Sequence, residues 1–250
     1  MATGALTGLA IALKRSRRLG LDTDALHRIC LWVVLWGFVG ARIGHVFLYH
    51  WADYKDDLPS ILRLWEGGLS SFGGFVGSTV ATVVLMRRSR LHFWTYADVI
   101  CYGFATGWAI GRLGCYVIHD HPGRLAGSAW YEALATEMDV RLLNGDWSRD
   151  VRHDLGLYDG ILSAVIAMFY LIADRKPRAP GFFIGWLCVL YCVPRFFLDY
   201  LRATDLVASD TRYLGLTPAQ YGAILIAGLG GAILWHSNSG RTKLSPTAGS

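Results

Sequence analysis

Gly111-Arg112-Leu113-Gly114-Cys115-Tyr116-Val117-Ile118-His119-Asp120-His121-Pro122-Gly123-Arg124 begins inside an apolar run that starts near Tyr96 and breaks at Pro122-Gly123 into a polar segment. An arginine therefore stands within a membrane-length helix shortly before that helix ends. At mid-helix an unpaired arginine costs roughly 2.5–3.5 kcal/mol on insertion scales, so a charge kept there points to a partner or a function. Snorkelling of its head group into the lipid headgroup layer is the structural alternative. Gly103, Gly107, Gly111 and Gly114 recur at helical spacing along the same run, the pattern of a helix-packing face. Arg112 lies beside that stripe and is expected to point into a bundle.

The rest of the chain is of the same kind. Its 250 residues are 53% hydrophobic and include ten tryptophans, and several runs approach the roughly 20 residues needed to cross a bilayer. The expected fold is all-α, a polytopic membrane helix bundle of six complete spans plus a truncated first span. Residues 1–13 are apolar but too short to span, and read as the second half of a helix. The complete spans are expected near 29–49, 69–86, 96–118, 156–173, 181–201 and 216–235, the first of them announced by the helix-start signal Asp22-Thr23-Asp24. Gly67-Gly68-Leu69-Ser70-Ser71-Phe72-Gly73-Gly74 makes the entry to the 69–86 span nearly free of side chains, which suits close approach to another helix or to a ligand. Trp51 and Trp65 stand where indoles mark membrane edges.

Residues 119–155 read as a polar, irregular, outward-facing loop cap, longer than simple connection requires. Residues 1–238 are expected to form one transmembrane domain, followed by a disordered tail at 239–250. The five cysteines all lie in apolar runs, are odd in number and read as buried hydrophobes, not as a disulfide framework. The formal charge of +5 comes without an aromatic-interleaved basic strand, so it is an orientation signal and not a nucleic-acid patch. Lys and Arg concentrate at 14–28, 87–95, 174–180 and in the tail at Arg241 and Lys243, alternating with acid-rich connections. By the positive-inside rule these segments, with the C-terminus, are cytoplasmic, and 50–66, 119–155 and 202–215 face outward.

The span at 181–201 carries a second cluster: Tyr191, Arg195, Asp199 and Arg202 fall on one helical face by steps of four, four and three. Arg195 and Asp199 form an i,i+4 pair. Arg112 and Arg195 both sit toward the outer ends of their spans, and one aspartate does not neutralise two guanidiniums. The sharper reading is an inward anion site, because arginine's planar fork suits phosphate.

Taken together, Trp65-Glu66-Gly67-Gly68-Leu69-Ser70 with Gly73-Gly74, Gly111-Arg112-Leu113-Gly114 with Gly123-Arg124, His153, Leu157-Tyr158, and Tyr191 with Arg195-Phe196 and Arg202 resemble the phosphatidylglycerol–prolipoprotein diacylglyceryl transferase family. Arg17-Arg18-Leu19-Gly20-Leu21-Asp22 and the stretch from Leu216-Thr217 to Gln220 follow its pattern too, so the resemblance covers residues 5 to about 235. It implies a seven-helix enzyme of the bacterial inner membrane with its active site toward the outer face. The implied substrates are phosphatidylglycerol and the lipobox cysteine of a prolipoprotein; glycerol 1-phosphate leaves and no cofactor takes part. Membrane lipid is the only other partner expected. On this resemblance Arg112 and Arg195 bind phosphate and stabilise the leaving group, and Asp199 orients Arg195 or shares in proton transfer. Gly73, Gly74, Gly111, Gly114, Gly123, Tyr158, Asp159, Tyr191 and Arg202 line the substrate cleft.

The departures from the family pattern matter as much. Phe72 stands where the family usually has a histidine, Cys115-Tyr116 replaces Asn-Phe, and Asp120, Asp159 and Asp199 replace glutamates. His119-Asp120-His121 offers a substitute for the absent histidine: His119 or His121 takes the thiol proton and Asp120 orients it. As metal ligands the two histidines lack a third partner at a convincing spacing, so no metal site is expected. The alternative function is a catalytically inactive relative that binds lipid or lipoprotein through the same pocket.

Overall fold

The computed structural model describes residues 2–49, 51–63, 68–127, 134–206 and 212–242. Trp65, Glu66, Gly67, Trp130, Tyr131 and the tail beyond 242 lie outside the described residues, and so does the side chain of Phe72. The protein is mostly helical, and among the described residues four helices are long and apolar enough to cross a membrane: Thr23–Phe47, Leu155–Ala173, Phe182–Leu201 and Pro218–Asn238. It is a multi-pass membrane protein. The chain forms two compact units, Leu13–Tyr96 and Met1–Ala12 with Ala97–Ser250. Helix α1 (Ala2–Arg18) contributes to both.

In the Leu13–Tyr96 unit, α2 (Thr23–Gly44) begins at Asp22, whose carboxylate accepts the amide of Ala25 at 2.8 Å, as the helix-start signal requires. A π-helical stretch, His45–Tyr49, continues it, followed by the short α3 (Trp51–Tyr54) and a 3-10 segment at Leu58–Leu62. Helix α4 (Ser71–Arg88) is capped by Ser70, whose hydroxyl accepts the Gly73 amide at 3.2 Å. Helices α2 and α4 approach through glycines; a Cβ on Gly73 would lie 2.3 Å from the Gly40 carbonyl oxygen. The glycine-rich entry thus serves helix-on-helix contact here. Arg42 is buried on α2 and donates to the carbonyls of Ile61 at 2.7 Å, Ser60 at 2.8 Å and Gly68 at 3.1 Å, closing the connection over the helix end.

In the other unit, the first part of α1 packs on α5 (Phe93–Ile118) by the same device. A Cβ on Gly103 would meet the Gly8 carbonyl oxygen at 2.2 Å, and one on Gly107 the Gly4 oxygen at 2.6 Å. The glycine stripe is therefore a packing face, as its spacing indicates. Helix α6 (Leu155–Ala173) leads to α7 (Phe182–Leu198), which a 3-10 turn, Asp199–Leu201, prolongs; α8 (Pro218–Thr242) follows. The N-terminus of α7 rests on buried Asp98 of α5, whose carboxylate accepts the amides of Gly181 and Ile184, both at 2.9 Å. Tyr102, Ile166, Tyr170 and Phe183 form the apolar core between these helices.

The segment expected to be an irregular loop in an all-α protein is instead a three-stranded antiparallel sheet, with β1 (Pro122–Leu125), β2 (Thr136–Arg141) and β3 (Trp147–Asp154) in the order β1-β3-β2. Its period of two is hidden in the sequence because charged side chains occupy inward positions. Fully buried Arg152 donates to Asp205 Oδ2 at 2.6 Å, Asp205 Oδ1 at 3.0 Å, Asp150 Oδ2 at 3.0 Å and the Gly123 carbonyl at 3.2 Å. These hydrogen bonds hold the Asp205 carboxyl below the usual carboxylate range and push the Arg152 guanidinium further up. The sheet is bound to the chain after α7 by this clamp, by the bridges Gly123 to Arg202 and Leu142 to Leu206, and by a small core of Met138, Val140, Ala203 and Leu206.

Candidate active site

Arg112 is placed by α5 and is 9% exposed. Its Nε lies 2.8 Å from Oδ2 of Asp159 on α6, and its guanidinium lies over the Trp108 ring at 4.7 Å. Two α6 glycines permit the approach: a Cβ on Gly160 would press on Arg112 Cβ at 3.3 Å, and one on Gly156 on Cys115 Cβ at 3.2 Å. Asp159 is 3% exposed and also accepts from the Tyr191 hydroxyl of α7 at 3.1 Å. Three helices thus converge on one carboxylate. The expectation that one aspartate faces two arginines is corrected: Asp159 balances Arg112, and Asp199 is left to Arg195 and Arg202.

Asp199 is 1% exposed. It meets Arg195 Nη1 at 3.4 Å and Arg202 Nε at 2.9 Å, and accepts a short hydrogen bond from the Thr217 hydroxyl. Gln220 at the start of α8 receives the Thr217 amide at 2.9 Å and donates to the Phe196 carbonyl at 3.0 Å. Arg195 and Arg202 face the one carboxylate of Asp199, leaving a surplus of positive charge in that cluster.

The His119-Asp120-His121 segment divides between two partners. His119 turns back at φ 50° and donates from Nδ1 to Asp154 Oδ2 at 2.7 Å, while Asp154 Oδ1 caps α6 by accepting the Leu157 amide at 3.0 Å. Asp120 lies between His121 and Cys115, and accepts a short hydrogen bond from Nδ1 of His121. His121 Nε2 lies 3.0 Å from Nη1 of Arg112. A guanidinium only donates, so Nε2 is the acceptor and His121 is neutral with its proton on Nδ1.

Of the remaining sequence candidates, Gly111 packs on α1 near Gly4, and Gly114 is half-buried one turn beyond. Gly123 is enclosed by the carbonyls of Leu201 and His153, 2.7 and 2.8 Å from where a Cβ would be. Tyr158 pairs through its hydroxyl with His153 Nδ1 at 2.8 Å. Gly73 and Gly74 belong to the Leu13–Tyr96 unit, against Gly40 and Ala41 of α2. Sequence reading missed Trp108, Asp154 and the role of Thr217. An aromatic four residues before Arg112 was the one local signal available for the first of these. A shallow cleft lined chiefly by Phe104, Ala105, Ile166 and Leu187 lies beside Trp108 and Tyr191.

A family model described as prolipoprotein diacylglyceryl transferase matches residues 1–236. The chain is 29% identical over 197 residues to a phosphatidylglycerol–prolipoprotein diacylglyceryl transferase of Chromohalobacter salexigens, covering 77% of this chain and 68% of the relative. It is 29% identical over 241 residues to the enzyme so named in Xanthomonas campestris, covering 90% and 81% respectively. With that of Glaesserella parasuis it shares 34% identity over 172 residues, covering 68% and 61%. A match along this length shows that the protein belongs to the prolipoprotein diacylglyceryl transferase family.

Proposed function

We propose that this chain transfers the diacylglyceryl group of phosphatidylglycerol to the lipobox cysteine of prolipoproteins in the bacterial inner membrane. Six complete spans follow the first helix, the C-terminus is cytoplasmic, and the site opens toward the outer face beneath the sheet-bearing cap. The observation that carries the reading is the contact of His121 Nε2 with Arg112 Nη1 at 3.0 Å, which sets a neutral base beside a buried cation.

Phosphate of the lipid headgroup takes the Nη groups of Arg112 and the guanidinium of Arg195, while Nε of Arg112 stays on Asp159. Turning Nη1 to phosphate frees the Nε2 lone pair, so lipid binding exposes the base. The substrate thiol gives its proton to Nε2, and Asp120 stabilises the imidazolium through Nδ1. The thiolate attacks the glyceryl carbon bearing the phosphate ester. A carbon–sulfur bond forms as the carbon–oxygen bond breaks, and glycerol 1-phosphate departs with its charge held by the arginines. Phe72 offers no proton acceptor, which supports giving that task to His121.

Purified protein is supplied with phosphatidylglycerol vesicles and a lipobox peptide, and glycerol 1-phosphate and the thioether are measured. Both products are expected, and loss of both on Arg112→Ala. Lipid binding with no release of glycerol phosphate would establish the inactive alternative.

A further inference from the structure

We propose that Cys115, Asp120 and His121 form a site for a thiophilic divalent cation of the zinc class, and that the cation and Arg112 compete for His121. The three side chains place a thiol sulfur, a carboxylate oxygen and an imidazole nitrogen within 4.8 Å of one another. Tetrahedral zinc, with bonds of about 2.0–2.3 Å, holds neighbouring donors roughly 3.3–3.7 Å apart. Side-chain rotation is required to bring the three donors to that spacing. The chain path builds the site locally. Cys115 stands on the last turn of α5, and the left-handed turn at His119 brings Asp120 and His121 back beside it.

The donor set also selects the metal. One thiolate, one imidazole and one carboxylate, with a fourth position for water, suit zinc, whereas magnesium and calcium take oxygen ligands. The two histidines do not form the site together: His119 pairs with Asp154, and the groups beside His121 are Cys115 and Asp120. Cys115 is buried, His121 is half-buried and Asp120 is exposed, so the site opens on the Asp120 side.

Arg112 is the built-in competitor. Its Nη1 lies 3.0 Å from His121 Nε2 and 3.9 Å from Cys115 Sγ, where a guanidinium repels a dication. Arg112 also holds Asp159 through Nε at 2.8 Å, so its Nη1 end can leave His121 without giving up its ion pair. Metal binding at Nδ1 replaces the hydrogen bond between Asp120 and His121, moves the ring proton to Nε2, where it faces the Arg112 donor, and releases the thiol proton to solvent. On the function proposed above, an occupied site has lost its proton acceptor, so the metal inhibits transfer.

The test is a titration of the purified full-length chain in detergent with Co2+, followed by competition with Zn2+. A thiolate-to-cobalt charge-transfer band is expected and is bleached by Zn2+. Cys115→Ala abolishes the band, His121→Ala weakens binding about tenfold or more, and Arg112→Gln strengthens it about fivefold or more. In the unmutated protein Zn2+ slows alkylation of Cys115 and of no other cysteine, a readout independent of how the variants fold. Absence of the band, its persistence in Cys115→Ala, or unchanged affinity in Arg112→Gln overturns the proposal. Inhibition of turnover by Zn2+, reversed by a chelator, is read separately. A protein that binds Co2+ as described but never turns over contradicts the transferase reading and leaves the metal site standing.

Discussion

Asp159 on α6 lies 2.8 Å from Nε of Arg112 on α5, and both side chains are buried. Neither charge is placed by its own helix against a partner one turn away; each is neutralised across a helix–helix contact that Gly156 and Gly160 make close enough. Asp159→Asn strands the guanidinium, a change that costs about 3–5 kcal/mol where a buried pair is broken from one side. Thermal unfolding in detergent should show that loss, and Arg112→Gln combined with Asp159→Asn should regain part of it while remaining inactive. Full stability of Asp159→Asn alone would remove the pair from the list of fold determinants.

The two histidines of the 119–121 segment should separate cleanly in kinetics. His121→Ala is expected to lower kcat by about 100-fold or more, the usual worth of a general base, with a smaller effect on KM. His119→Ala removes the partner of the α6 cap Asp154 and should lower thermal stability by about 1 kcal/mol while retaining most turnover. Reversal of these two patterns would move the base to His119.

Thr217 orients the acid that Arg195 and Arg202 share. Thr217→Val removes the donor and should cost about 1.5–3 kcal/mol, the range for a hydrogen bond to a charged group, whereas Thr217→Ser keeps the hydroxyl. Melting temperatures of the two variants measure this, and equal values would show that Asp199 does not need the contact.

Acid should loosen the sheet. The Asp205 carboxyl is held below its ordinary value of 3.8 by Arg152, so its contribution is present above that pH and is lost as pH falls through the lowered value. Asp205 is 43% exposed, and solvent limits the effect to about 1 kcal/mol or less. Hydrogen exchange in β3 should rise below pH 3.8 in the native protein, and be raised already at neutral pH in Asp205→Asn.

Glycines that look alike in the sequence should respond oppositely. Gly103→Leu drives a side chain into the Gly8 carbonyl and should prevent accumulation of folded protein. Gly228 on α8 has no atom within 4 Å of an added Cβ, so Gly228→Ala should be tolerated or stabilise by up to about 1 kcal/mol. Expression and melting temperature of the two variants check the contrast.

The sequence by itself determined what depends on neighbours along the chain. Apolar length marked membrane-crossing helices, Asp22 marked the start of α2, the glycine spacing marked the α5 packing face, and steps of four brought Arg195 and Asp199 together. Only the tertiary structure decided the pairings between elements. Asp159 with Arg112, Asp154 with His119 and Thr217 with Asp199 each join residues whose separation in sequence carries no period, because they meet only when elements distant along the chain come together. The sheet stayed hidden for a related reason. Arg152 and Asp154 sit at buried positions of β3 with partners that include Asp205 and His119 from other segments, so the hydrophobic alternation that would reveal the strand is missing.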